Sequence, residues 1–318
     1  MGLIIYKKSA MRKFPIVFTC DNNYFKYTFV VIASILHNSN KNIFYEFNVI
    51  SEDISRENEI KAEKYIKKHK NAVIKFVKLE NIDKAQFHLN SYMSVATYYR
   101  FYIPEIFKAY ERILYLDSDL IVDCDISELL NASFEDRLAL CCSSPFILKK
   151  IKRKNSEDFP IEYFTNVLKM NNPEEYFNAG VMVYNVRKSL ELNIQEKLFT
   201  SLSEIEKPKL QDQDLLNSVL SRNGGIKLID QKYNLTRAYK ITSNRILFNA
   251  VKKKLNLKLK NPLFYIYHYV GKEKPWQKKG IDSELFYYYA SKTPFYKEIL
   301  KSNNQKHQSI LRLLYKWI

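Results

Sequence analysis

Along its first 140 residues the chain alternates short apolar runs with longer segments of helical period, and this alternation limits the possible folds more than any other feature. Ile16-Val17-Phe18-Thr19-Cys20 reads as a strand ending in the polar cluster Asp21-Asn22-Asn23, and Tyr24 to Asn38 then places Phe29, Ile32, Ala33 and Leu36 on one helical face. Phe44 to Ile50 predicts a second strand, Ser55 to Lys68 a charged helix, Ala72 to Val77 a third strand, and Ala96 to Lys108 a helix despite Pro104. Ile113-Leu114-Tyr115-Leu116 is short and wholly apolar, which places it in the middle of a sheet. Strand-helix-strand order argues for an α/β fold with a mainly parallel sheet and helices on both faces. Ligands in such sheets bind beyond the carboxyl ends of the strands. The polar clusters after Cys20 and after Leu116 both sit at such ends.

Beyond Ser127 the pattern is less regular. Lys149 to Lys154 reads as a basic loop, Pro160 to Asn171 as a helix, Phe177 to Val186 as a strand pair or strand-turn, and Gln211 to Leu220 as a helix. Tyr265 to Val270 predicts a strand ending at Gly271, and Gln308 to Ile318 a short amphipathic helix. No internal repeat is present.

Composition removes several function classes. The chain holds only 6 glycines in 318 residues, where ordinary usage would give roughly 22. Neither a G-x-G-x-x-G nor a P-loop sequence occurs, and G-x-S-x-G, H-E-x-x-H and C-x-x-C are also missing. Cys20, Cys124, Cys141 and Cys142 form no disulfide framework, and Met1 to Ala10 has no signal-type apolar core, so a reducing, cytoplasmic compartment is expected. No stretch approaches the roughly 20 apolar residues of a membrane span. The formal charge is +17, and from Lys252 onward 15 basic residues face 4 acidic ones. A polyanionic partner and plain solubility both account for that excess.

Three Asp-x-Asp sequences are present. Asp125 stands in capping-box spacing before Glu128, and Asp212-Gln213-Asp214 opens a helix, where acids suit the dipole. Only Asp117-Ser118-Asp119 ends a wholly apolar strand. Carboxylates at i and i+2 there point to one side, and a hard divalent cation compensates their repulsion. The competing reading is an Asp-rich turn.

At these residues the chain resembles glycosyltransferase family 8, the retaining enzymes that include bacterial lipopolysaccharide galactosyl- and glucosyltransferases. Six collinear motifs carry the resemblance over Phe14 to Trp276: Phe18-Thr-Cys-Asp21-Asn-Asn23-Tyr24, Thr97-Tyr-Tyr-Arg100, Leu114-Tyr-Leu-Asp117-Ser-Asp119, Tyr176-Phe-Asn178-Ala-Gly180-Val, Gln211-Asp212-Gln213-Asp214 and His268-Tyr-Val-Gly271-Lys-Glu-Lys274-Pro-Trp276. The resemblance implies a GT-A-type Rossmann-like mixed sheet flanked by helices over 14–276, followed by a small basic, aromatic tail over 277–318. It implies that Asp117, Asp119 and His268 hold Mn²⁺, with Mg²⁺ the alternative. Gly271 and Lys274 then face the diphosphate of UDP-galactose or UDP-glucose, and Thr19, Cys20, Asp21, Asn23, Tyr24 and Ser118 the nucleotide side. Arg100 is implied as a clamp on the donor through phosphate or sugar hydroxyls, its competing reading being a helix-surface ion pair. Asn178, Asp212 and Gln213 are implied around the hexose, with Gln213 nearest the anomeric carbon. An amide is a poor nucleophile, so front-face displacement is expected, Asp212 remaining open as a nucleophile or charge stabiliser.

The chain departs from the family at Cys141-Cys142-Ser143-Ser144, where the lipopolysaccharide enzymes usually carry an Asp, so hexose and acceptor preference do not transfer. The tail, with Leu, Trp and Ile beside Lys306, Arg312 and Lys316, has the composition of a helix that lies on anionic lipid. The expectation is a peripheral enzyme of the cytoplasmic face of the inner membrane, acting on a lipid-linked glycan and not on nucleic acid. A protein acceptor and a non-catalytic polyanion binder are the alternatives.

Overall fold

The computed structural model describes residues 11–89, 94–153, 156–236, 266–277 and 283–302. The expected helix within 308–318, and the rest of the tail beyond Ser302, lie outside the described residues.

Seven strands form the main sheet: β1 (Arg12–Thr19), β2 (Ile43–Ser51), β3 (Ala72–Lys78), β4 (Arg112–Leu116), β6 (Ala139–Ser143), β7 (Phe177–Asn185) and β8 (Ile226–Leu228), in the order β3-β2-β1-β4-β7-β6-β8. The four strands from β3 to β4 run parallel, as expected, but β7 runs antiparallel to both β4 and β6. The sheet is therefore mixed, as the family resemblance implies, and not mainly parallel as strand-helix order alone suggests. β4 occupies its middle, which is why Ile113 to Leu116 carries no polar residue except the Tyr115 hydroxyl. A small second sheet joins β5 (Leu120–Val122), β10 (Ile266–His268) and β9 (Leu235–Thr236).

Helices cover both faces. On one side α1 (Asn22–His37) packs with α8 (Ser283–Ala290) and α9 (Tyr296–Ser302) over Phe14, Ile16 and Phe18 of β1. On the other, α6 (Ile194–Glu204) and α7 (Asp212–Arg222) pack over Val17, Tyr115 and Met182. The remaining helices are α2 (Arg56–Ile66), α3 (Ile103–Ile106), α4 (Pro145–Lys152) and α5 (Val186–Glu191). No helix among the described residues is long and apolar enough to cross a membrane.

Several expectations are corrected. The supposed basic loop at 149–154 is, as far as Lys152, the last turn of α4: Pro145 sits at the helix start, Ile147 is buried, and three lysines face the negative end of the dipole. Phe177 to Asn185 is a single nine-residue strand, because it is paired on both sides and Gly180 does not turn the chain. Residues 95–102 are a 3₁₀ helix with only a short α-helical turn after it, and Tyr163–Val167 winds as a π turn inside the expected 160–171 helix. Asp125 accepts from the Ser127 amide at 2.9 Å, but Glu128 accepts from the Tyr233 hydroxyl instead of closing a capping box.

Candidate active site

One cleft of about 1060 Å³ opens along the carboxyl edge of the parallel strands. Topology explains what gathers there. Thr19 ends β1 and Leu116 ends β4, while the antiparallel β7 brings its first residues, Asn178 to Gly180, to the same edge. The Asp117 amide donates to the Gly180 carbonyl at 2.9 Å, which continues the ladder into the Asp-Ser-Asp turn. β5 follows at once and pairs antiparallel with β10, setting His268 opposite Leu120. Two residues 149 positions apart in sequence, Asp119 and His268, are thereby placed side by side.

All fifteen residues singled out from the sequence line this cleft. Asp21 caps α1 by accepting from the Tyr24 amide at 2.8 Å, so Asp21, Asn23 and Tyr24 stand at the start of that helix. The Tyr24 ring meets Trp276 edge to face with centroids 5.8 Å apart. The Cys20 thiol is buried, which pushes its pKa up to about 12 and keeps it in the unreactive neutral form. Ser118 turns toward α1 and accepts from the Thr28 hydroxyl at 2.8 Å.

One oxygen each of Asp117 and Asp119 and one nitrogen of His268 lie within 4.8 Å of one another. His268 Nε2 is 3.1 Å from Asp119 Oδ1 and 3.6 Å from Asp117 Oδ2. Two carboxylates and one imidazole form a donor set that could hold a divalent metal ion. The backbone makes room for it: a β-carbon built on Gly180 would fall 2.3 Å from His268 Cε1 and 2.6 Å from Asp117 Oδ2. Burial works to raise the Asp119 pKa, yet Lys274, which donates to Asp119 Oδ2, and His268 outweigh it and hold the carboxyl well below its usual range. Lys274 also donates to the Tyr269 carbonyl at 2.8 Å. Gly271 follows in the left-handed region, with φ +86°.

Arg100 is no helix-surface ion pair. It is buried, donates to Ala179 O at 2.7 Å and to Asp117 Oδ1 at 2.9 Å, and sits 3.0 Å from Asp212 Oδ2. Its guanidinium lies over the Tyr115 ring at 4.3 Å, and the Tyr115 hydroxyl donates to the same Asp117 oxygen at 2.7 Å. These contacts hold Asp117 Oδ1 and leave Oδ2 toward His268. Gln211, buried and at φ +51°, turns the chain into α7 so that Asp212 and Gln213 face the cleft. Burial pushes the Asp212 carboxyl up to about 6 against the opposing pull of Arg100.

Gln213 is firmly held. Its amide oxygen accepts from Asn178 Nδ2 at 3.0 Å and from the Ala179 amide at 3.1 Å, while Nε2 donates to the Tyr176 hydroxyl at 3.2 Å. Tyr176 and Tyr163 in turn donate to the two oxygens of buried Asp214. Asp214 thus faces away from the cleft, unlike its neighbour Asp212.

Sequence reasoning missed three contributors. Tyr115 is hidden in an apolar run, Gly180 reads as one motif residue among several, and Asn234 carries no local signal. The departure at 141–144 also has a structural use. Cys142 contacts the Asp230 carbonyl at 3.4 Å, and Ser143 donates to Gln231 at 3.0 Å, so the segment braces the loop that leads to Asn234. Pro145, Phe146 and Phe159 add apolar lining to the cleft, with Phe146 half exposed.

A family model described as Glycosyl transferase family 8 matches residues 15–280. A putative glycosyltransferase of Haemophilus influenzae is 29% identical over 266 residues, covering 83% of this chain and 73% of that one. A lipopolysaccharide 1,2-glucosyltransferase of Escherichia coli is 28% identical, covering 85% and 75%. Among solved structures, the WbbM bifunctional glycosyltransferase superposes with TM-score 0.73 at 25% identity, over 93% of this chain but only 52% of that one. The galactosyltransferase LgtC, in complex with donor and acceptor sugar analogs, superposes with TM-score 0.69 at 24% identity, over 88% and 96%. The latter likeness is one of fold, and both neighbours have GT-A architecture.

Proposed function

Because the chain belongs to glycosyltransferase family 8, we propose that it moves galactose or glucose from a UDP-sugar, with retention at the anomeric carbon, onto a lipopolysaccharide-type surface glycan. The observation that carries this reading is the cluster of Asp117, Asp119 and His268 at the carboxyl edge of the sheet, inside a cleft of sufficient size for a nucleotide sugar. The names of relatives such as the lipopolysaccharide 1,2-glucosyltransferase support the acceptor class.

In this reading Asp117, Asp119 and His268 hold Mn²⁺, which when bound supplies Lewis-acid stabilisation of the leaving diphosphate. Lys274, beside Asp119, adds a positive charge on the same side. Tyr24 offers its ring to the base, and Asp21 and Asn23 offer polar groups to the nucleoside. Gln213 binds rather than attacks, because its oxygen already accepts two N–H bonds. The acceptor hydroxyl therefore enters on the face the diphosphate leaves. The C1–O bond to the β-phosphate breaks, the new C1–O bond forms on the same side, and the hydroxyl proton passes to the departing phosphate oxygen. Asp212, ionised above pH about 6, stabilises positive charge that develops on the sugar.

Catalysis is assigned to 14–276, and peripheral attachment to anionic lipid on the cytoplasmic face to the basic tail. The first test is UDP release from UDP-galactose and UDP-glucose, with and without Mn²⁺, in the absence of acceptor. Metal-dependent release from one donor supports the reading and names the sugar. No release and no UDP binding by calorimetry overturn it.

A further inference from the structure

We propose that Asn234 is a positioning residue that holds Nδ1 of His268 protonated, so that Nε2 is the nitrogen kept for the cleft. Asn234 is fully buried on the loop before β9, and its main-chain carbonyl accepts from Gln231 Nε2 at 2.7 Å. Its side chain touches two partners: Asn234 Oδ1 lies 2.9 Å from His268 Nδ1, and Asn234 Nδ2 lies 2.7 Å from Asn178 Oδ1.

The direction of these bonds is set by groups that cannot change role. The Gly180 amide donates to Asn178 Oδ1 at 3.1 Å, and the Ala179 amide donates to Gln213 Oε1 at 3.1 Å. A backbone N–H is only ever a donor. Turning Asn178 over would aim its NH₂ at the Gly180 N–H and its oxygen at the Gln213 oxygen. Its oxygen therefore faces Gly180 and Asn234. Asn234 must then present NH₂ to that oxygen, which turns Oδ1 toward His268. An oxygen 2.9 Å from an imidazole nitrogen inside a dry site requires a hydrogen between them, and so Nδ1 carries it. Nε2, 3.1 Å from Asp119 Oδ1, is left as the nitrogen whose lone pair would go to a cation, any proton it shares with Asp119 passing to water as the cation enters. The two amides at the start of β7 thus act on the histidine through two asparagines. Without Asn234 the neutral imidazole has the opposite preference, Nε2–H bonded to Asp119, and the ligand nitrogen is capped.

The proposal deepens the metal site assigned above and rests on that reading only for its consequence, since the tautomer is measurable with no metal present. The experiment is long-range ¹H–¹⁵N correlation on metal-free protein labelled with [¹⁵N]histidine at pH 9, with the His268 signals identified by their loss in His268→Gln. Mn²⁺ titration followed by EPR runs alongside. Nδ1 of His268 is expected to be protonated in the native protein and bare in Asn234→Ala, with Mn²⁺ bound about 10- to 100-fold more weakly by the variant. Asn234→Asp, which keeps an oxygen on Nδ1, is expected to restore the Nδ1 proton, a rescue that a merely structural role does not predict. Asn178→Ala, which lets the Asn234 amide turn over, is the second variant if Asn234→Ala fails to fold, and is expected to weaken the Nδ1 preference. A bare Nδ1 in the native protein, or an Nδ1 still protonated in foldable Asn234→Ala and Asn178→Ala, overturns the proposal. The expected nitrogen signatures with no Mn²⁺ uptake by either protein uphold the role of Asn234 and remove the metal assignment instead.

Discussion

Gly180 lies against His268 so closely that a single methyl group has no place between them: an added β-carbon would stand 2.3 Å from Cε1 of the ring. Its backbone lies within strand β7, at the register shift opposite Cys141 and Cys142, and has no positive φ, so the position does not use glycine's conformational freedom. The residue is small because the ring and the Asp117 carboxylate occupy the space a side chain needs.

Gly180→Ala is accordingly expected to displace His268 or Asp117 and to abolish Mn²⁺ binding, at a stability cost of about 1–3 kcal/mol. Calorimetric Mn²⁺ titration beside a thermal melt checks this. Native metal affinity in the variant would show that the ring has room to move.

Asp119→Ala removes one carboxylate and leaves Lys274 and His268 without their shared partner. Loss of several kcal/mol of transition-state stabilisation corresponds to about a thousandfold or more in rate. UDP release in Mn²⁺ is the readout, with circular dichroism to establish that the fold persists. Retained Mn²⁺-dependent turnover would sink the metal assignment.

Asp212 couples stability to pH. Its folded pKa, about 6, lies above the ordinary 3.8, so the folded state binds the extra proton between those values. The stability this proton contributes is fully present below pH 3.8 and lost as pH rises through 6, a change of order 3 kcal/mol. The melting temperature of Asp212→Asn relative to the native protein, in EDTA, is therefore expected to rise between pH 4 and 7. A constant difference across that range counts against a raised pKa.

Phe146 stands half exposed in the lining of the cleft, beside Phe159, where a sugar face can stack. Phe146→Ala is expected to raise the acceptor KM about tenfold while leaving acceptor-free UDP release unchanged. An unchanged acceptor KM places the acceptor elsewhere.

Removal of residues 303–318 is expected to release the protein from anionic vesicles without loss of turnover on a soluble acceptor. Co-sedimentation before and after truncation decides this. Vesicle binding that survives the truncation assigns the anchor to another surface.

Much of the parallel half of the sheet was legible because each strand there is a contiguous apolar run and each helix a contiguous period. β4 announced its central place by having no polar residue except a tyrosine hydroxyl. The antiparallel half was not legible, since strand direction leaves no mark on composition, and Phe177 to Asn185 read equally well as a hairpin. The lysines of α4 mask in the sequence a helix whose start is set by Pro145.

The candidate site divides the same way. The chain's own order of residues determined which side chains are available: the carboxylate pair ending an apolar strand, the Asn-Ala-Gly and Gln-Asp-Gln-Asp segments, and a histidine before a glycine. Tertiary structure alone decided how they meet. Pairing of β5 with β10 set His268 beside Asp119, reversal of β7 put Gly180 beneath the ring, and burial converted Arg100 from a surface charge into the clamp on Asp117. Asn234 shows the limit most clearly, for an asparagine in a short loop has no pattern of its own. It acquires a role only because two backbone amides on a distant strand fix the direction of every hydrogen bond between them and the histidine.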